Sequence, residues 1–347
     1  MNTLYLDCRM GITSAKIFGA LVDIMENPNA FIYDFNKLGM SGVSVELLPD
    51  ALNGITGVQL EFRRRASDSL DMYDDEIDED EILEKHHHRR SRTLEDVIDI
   101  IEDMSISNEI AGRAIRVYEN IVKAYAKANN KETDAVKLRR TGSRDIIASI
   151  VGTFVALDKL KPEKVIVSTV AVGDGYARTP RGKMPIPVPE VQLLLEGMPF
   201  AAGTESGELC TLCGAALISE IADEYGSLPE MSISKSGAGF GRRTFKSGVN
   251  CVRAYFGEHL STAADESYIK LTSELYGDTD IPEIADELKK IGIINASMSD
   301  IYKLNGEKGH KLTIISEAKI ADSIATYLLE KTDATQVIRQ LVSAYSE

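Results

Sequence analysis

The fold is decided at residues 3–25, TLYLDCRMGITSAKIFGALVDIM. Residues 3–7 form a short apolar run that predicts a buried strand. Ile12, Ala15, Phe18, Ala20, Leu21 and Ile24 recur at helical spacing, so a helix is predicted over 12–25. Between them stand Asp7, Cys8 and Gly11. A strand-to-helix corner presents backbone N–H groups that can hold an anion. By itself the same corner also reads as a buried cysteine beside a helix-capping aspartate.

Working outward, Asn27-Pro28 starts a second helix that Gly39 ends. Alternating runs over 43–48 and 58–64, with Asn53-Gly54 between them, predict a hairpin. The composition then changes abruptly. Over residues 68–84, ten of seventeen residues are Asp or Glu, and the basic run Lys85 to Arg92 follows, holding His86, His87 and His88. Such a stretch cannot bury enough apolar surface to offset its ordering entropy, so 66–91 reads as a disordered acidic insertion. Three adjacent imidazoles among carboxylates are candidate divalent-metal ligands, and equally a solvated charge run.

After the insertion, Thr93 with Asp96 forms a capping-box-like helix start, and helices follow over 107–125 and 143–160. A β-branched strand is predicted over 165–172, an extended Pro-rich segment after Met184, helices over 189–196 and 212–225, and strands over 231–235 and 250–256. From residue 267 the order is strand, helix, strand, strand, helix, strand. The fold class is therefore α+β. It comprises a mixed N-terminal α/β domain (1–65 and 92–258) and a C-terminal ferredoxin-like βαββαβ domain (267–347).

Composition narrows the function. The chain has 347 residues and carries 39 Lys and Arg against 54 Asp and Glu, a formal net charge of −15. That argues against a general nucleic-acid binder, which needs a basic surface. No apolar run approaches a membrane span. Four cysteines, Cys8, Cys210, Cys213 and Cys251, are too few for a disulfide framework, so a cytoplasmic location is expected. Cys210 and Cys213 form a CxxC at a predicted helix start, which suits soft-metal or redox chemistry, or simply a packed helix end.

Several short motifs recur in a specific order. They are YLDC at the start, the histidines in the acidic insertion, RTLEDV at 92–97, Asp145 with IVG at 150–152, GDGY at 173–176, RGKMPIPVPE at 181–190, CTLCGAA at 210–216, SGAGF at 236–240 and NCVRAYFGE at 250–258. This order resembles the nickel-insertion protein family of lactate racemase maturation, the LarC type. The resemblance implies insertion of nickel into a pyridinium bis-thiocarboxylate mononucleotide, completing the nickel-pincer cofactor. It further implies a lyase-class nickel chelatase that uses CTP with Mn2+ or Mg2+ and forms homo-oligomers.

The resemblance also marks departures. Where the family has an acid or a histidine, this chain has Ala15, Arg139, Arg140, Ser149 and Arg181. Guanidinium groups cannot ligate a metal but do match carboxylate and phosphate. The expected site is Asp7, Cys8 and Asp145 as catalytic groups. Arg139, Arg140, Asp174 and Arg181 would contact the anionic ligand, and His86, His87, His88, Cys210 and Cys213 the metal. The alternative is a non-catalytic relative that binds an anionic nucleotide-like ligand or a partner subunit.

Overall fold

The first strand has partners on both sides, and the larger unit grows from it. The computed structural model describes residues 1–64, 91–179, 182–260, 268–276, 281–303, 308–317, 320–334 and 336–342. The chain divides into two units, Met1–Leu260 and Ser261–Glu347. Both mix helices and sheets. The histidines and the acidic run, read as a loop over 66–91, lie outside the described residues apart from Ser91.

The main sheet of the first unit uses β1 (Asn2–Asp7), β2 (Val43–Leu52), β3 (Ile55–Arg64), β4 (Lys164–Val167), β5 (Glu224–Tyr225), β6 (Met231–Phe240) and β7 (Cys251–His259). Their spatial order is β5–β4–β1–β7–β6–β3–β2. Strand β1 runs parallel to β4 and antiparallel to β7, with Asp7 opposite Arg253. Leu4, Leu6 and Cys8 enter one core cluster with the helices, while Tyr5 and Asp7 fall outside it. This is the period of two expected of a strand.

The helices of this unit are α1 (Ser14–Asp23), α2 (Pro28–Phe35), α3 (Leu94–Glu102), α4 (Asn108–Asn129), α5 (Arg144–Leu160), α6 (Pro189–Leu194) and α7 (Leu212–Ile221). Helix α1 begins because the Thr13 side chain accepts the Lys16 backbone N–H at 3.1 Å, satisfying one of the orphan donors of a helix start. The capping box at Thr93 and Asp96 is present in both directions. Phe18 of α1 is fully buried, with its ring 6.3 Å from Phe31 and 5.3 Å from Phe35. Burying such a ring contributes roughly 2–3 kcal/mol.

Small residues let α1 sit close to its neighbours. A Cβ on Gly152 of α5 would come within 2.3 Å of the Phe18 ring, and one on Gly239 of β6 within 2.0 Å of the Lys16 carbonyl. The glycines of SGAGF therefore admit a helix onto the sheet. They also let β6 run to Phe240, past the strand end predicted near residue 235.

The strand predicted over 165–172 breaks at Ser168. The Ser168 hydroxyl accepts the Cys8 N–H at 2.8 Å and donates to the Thr169 carbonyl at 2.9 Å. The backbone thereby leaves the sheet, and Val170–Ala171 pairs with Phe200–Ala201 instead.

The second unit contains β8 (Tyr268–Leu275), α8 (Ile281–Ile291), β9 (Asn295–Tyr302), β10 (Lys308–Glu317), α9 (Ala321–Lys331) and β11 (Val337–Val342). Its sheet is antiparallel with order β9–β10–β8–β11. Leu271, Leu275, Ile284, Leu288, Ile314, Ile324 and Leu328 form a separate core.

The α1–β6 contact generates a stability prediction. Gly239→Ala should destabilise the first unit by about 1–3 kcal/mol, because the clash is with backbone that cannot rotate away. Gly226→Ala, with open space around it, should stay within about 0.5 kcal/mol of the parent. Urea unfolding of the two variants checks this.

Candidate functional site

Two helix starts meet at the end of β1, and a third helix packs against them. The chain turns at Gly11, whose N–H donates to the Cys8 carbonyl at 3.0 Å. Gly11 has φ +80°, and a Cβ there would lie 2.2 Å from the Leu209 carbonyl oxygen, so glycine is required twice over. The Ile12 N–H donates to the Leu209 carbonyl at 2.8 Å, and its own carbonyl accepts from the Thr211 N–H at 3.0 Å. These bonds set the start of α1 beside that of α7, whose Gly214 faces the Ile12 carbonyl. Helix α5 joins them where the Ser149 hydroxyl donates to that of Ser14 at 2.7 Å. The turn ahead of α5 is held by Arg92 Nη1 on the Gly142 carbonyl at 2.8 Å and the Tyr118 hydroxyl on the Thr141 carbonyl at 3.0 Å.

Among the expected site residues, Asp7, Cys8, Asp145, Cys210 and Cys213 are all buried. Cys8 and Cys210 come together through the bridge between Ile12 and Cys210, and the Cys8 sulfur helps push the Cys210 thiol up. Asp145 lies in the first turn of α5. Asp174 is exposed and pairs with Gly207 in a short ribbon that leads directly to Leu209. Arg139 is exposed, and Arg140 is half-buried with its carbonyl accepting the Ser143 N–H at 3.0 Å. Arg181, His86, His87 and His88 lie outside the described residues.

The electrostatics differ between the carboxylate and the thiols. Burial pushes the Asp7 carboxyl up, but hydrogen bonds from Arg9 and Arg253 more than reverse this, to about 2. Arg9 donates through Nε to Oδ1 and through Nη2 to Oδ2, and Arg253 donates through Nη2 to Oδ2, each at 2.8 Å. Asp7 is thus a fixed anion at neutral pH. Burial pushes the thiols of Cys8, Cys210 and Cys251 up, and Lys16 opposes this only in part. The helix start that favours a thiolate at Cys210 is outweighed by desolvation.

Lys16 was not singled out by the sequence reading. It lies in the first turn of α1 at 1% exposure. Its ammonium donates to Asn250 Oδ1 at 2.9 Å and the Met10 carbonyl at 3.2 Å. Asn250 in turn donates to the Arg243 carbonyl at 3.0 Å, and Arg243 Nη1 to the Glu208 carbonyl at 2.9 Å. The available signal was a single lysine within the apolar run of α1.

Among the described residues, no group of three or more His, Cys, Asp or Glu side chains is placed to hold a metal ion. A cavity of about 460 Å³, lined by Arg113, Phe154, Asp158, Lys161 and Glu220 among others, lies toward the far end of α5. At 1.5 Å per residue it is roughly 20 Å along the helix from Asp145, so it is separate from the corner.

Comparison with known proteins bears on the whole chain. The family profile described as "Nickel insertion protein" matches residues 4–343. The pyridinium-3,5-bisthiocarboxylic acid mononucleotide nickel insertion protein of Acetivibrio thermocellus is 26% identical, over 99% of this chain and 83% of its own length. The protein of the same description from Clostridium acetobutylicum is 27% identical, over 99% of this chain and 85% of its own length. A solved structure described as the C-terminal domain of a cyclometallase involved in the synthesis of the NPN cofactor of lactate racemase aligns at 17% identity and a TM-score of 0.21. It covers 22% of this chain and 54% of its own, too slight an overlap to bear on the fold.

Two expectations follow from the corner. Because the Asp7 carboxyl is depressed, its stabilisation is full above about pH 4 and is lost as pH falls toward about 2. It amounts to roughly 2 kcal/mol, which Asp7→Asn should remove, flattening urea-measured stability across that window. Ellman's reagent should label none of the four thiols quickly in the native protein at pH 7, and all four after denaturation.

Proposed function

The chain belongs to the nickel insertion protein family, and from that premise we propose that it inserts nickel into pyridinium-3,5-bisthiocarboxylic acid mononucleotide. The observation that carries this reading is the extent of the match, residues 4–343. The relatives that bear the activity in their names align with almost the whole chain. Nickel is here a substrate, and the sulfurs that receive it belong to the mononucleotide. The protein's part is to hold and orient an anionic ligand at the end of β1. The starts of α1 and α7 favour negative charge there, and the buried Lys16 ammonium adds to them.

Asp7, Cys8 and Asp145 are the proposed catalytic groups of this corner. Cys8 and Cys210 are neutral thiols, so taking nickel on either sulfur must release a proton. Asp174, Arg139, Arg140 and Arg181 are proposed contacts for the ligand, and Cys213, His86, His87 and His88 for nickel. CTP with Mn2+ or Mg2+ and homo-oligomerisation are proposed on the resemblance. The described residues offer no cluster of three or more His, Cys, Asp or Glu for a divalent ion. The second unit is read as a ferredoxin-like domain on its strand order. No described helix is long and apolar enough to cross a membrane, and the cytoplasm is the proposed location.

One observation favours a second reading, a non-catalytic relative that holds an anionic nucleotide-like ligand or a partner subunit. Where the resemblance implies two acids, Ala15 and Ser149 stand, and Ser149 is satisfied by Ser14 at 2.7 Å. The deciding experiment incubates pure protein with nickel chloride, the bis-thiocarboxylate mononucleotide, CTP and Mn2+. Mass spectrometry should show the nickel adduct of the mononucleotide. Thermal stabilisation by the mononucleotide without any nickel adduct would move the assignment to the second reading.

A further inference from the structure

We infer that Arg9 and Arg253 form a subsite for the phosphate of a mononucleotide, with Asp7 as the residue that positions both. The inference rests on the proposed substrate class and adds a location for its phosphate.

The geometry is that of a prepared pair. Asp7 sits at the end of β1, opposite Arg253 on β7. Its side chain is 7% exposed, whereas those of Arg9 and Arg253 are 64% and 37% exposed. One buried carboxylate thus holds two guanidinium groups that reach solvent. Both Nη2 atoms contact the same Asp7 Oδ2, so they lie within two hydrogen-bond lengths of each other. Arg253 is also held over the Tyr255 ring at 5.5 Å.

The charges do not cancel. Each guanidinium is always protonated, so two cations on one carboxylate leave a net positive charge. Asp7 takes Arg9 Nε and Nη2 and Arg253 Nη2. Among the described residues, Asp7 is the acceptor for both groups, which leaves Nη1 of each and Nε of Arg253 as donors. Two forks held together present donors to a tetrahedral dianion. Fixing them beforehand lowers the ordering cost on binding. An ordinary surface ion pair lacks this feature, since both of its partners are mobile.

The location agrees. Strands β1 and β4 are parallel and end on the same side, and ligands of such sheets bind outside the carboxyl ends of the strands.

The test compares nicotinate mononucleotide with nicotinate riboside, which lacks the phosphate, by isothermal titration calorimetry on the full chain. The parent should bind the mononucleotide more tightly. Arg9→Ala and Arg253→Ala should each weaken mononucleotide binding at least about tenfold and leave riboside binding unchanged. Asp7→Asn should reduce the preference for the mononucleotide over the riboside. Arg253→Lys keeps the charge but loses the fork and should fall between parent and alanine variant. Thermal melts of Arg9→Ala, an exposed position, separate binding loss from misfolding. The subsite is overturned if the parent binds neither compound, if it binds both equally, or if the variants lose both equally. A parent that shows phosphate-dependent binding but makes no nickel adduct keeps the subsite and loses the proposed activity. A parent that makes the adduct with no arginine effect does the reverse.

Discussion

The backbone of Ile12 exchanges hydrogen bonds with Leu209 and Thr211, and the candidate site exists because it does. These bonds join residues almost two hundred positions apart in sequence. They require Gly11 to adopt a conformation that other residues rarely take and leave no room for a Cβ there. Once made, they set two helix starts side by side and bury Cys8 and Cys210 beneath them. The nearby SGAGF and IVG motifs serve the same arrangement, since Gly239 and Gly152 let α1 approach the sheet and α5. The spacing of these small residues along the chain is thus a record of helix packing.

Much of the architecture was legible locally. The strand and helix of residues 3–25, the capping box at Thr93 and Asp96, the hairpin turn at Asn53-Gly54 and the element order of the second unit all follow from periodicity and turn chemistry. Where the reading of the strands failed, a side chain or a missing one intervened. Ser168 replaced a backbone partner and ended β4 early. The strand predicted over 231–235 stops short of the glycines of β6 because glycine weakens strand propensity, yet the close approach of α1 requires them. Boundaries shifted at the ends of helices too: α7 stops at Ile221 because residues 224–225 join the sheet as β5.

The site was less legible because electrostatics depend on contacts distant in sequence. The motif order pointed to Asp7, Cys8, Cys210 and Asp145, but nothing in it revealed that Arg9 and Arg253 grip Asp7 or that Lys16 lies buried near three thiols. Arg253 is 246 residues from Asp7. The CxxC reading weighed a helix start against burial without knowing the depth of the sulfur. Cys210 at 1% exposure settles that balance toward the protonated thiol.

Every sulfhydryl of this chain is buried, and none is bridged. An oxidant or alkylating agent therefore waits for the protein to breathe. Modification at Cys8 or Cys210 records how often the β1 corner opens, while Cys251 reports on the far side of the same sheet. The molecule carries an internal clock for its own local unfolding, readable in any cell or buffer by the order in which its sulfurs react.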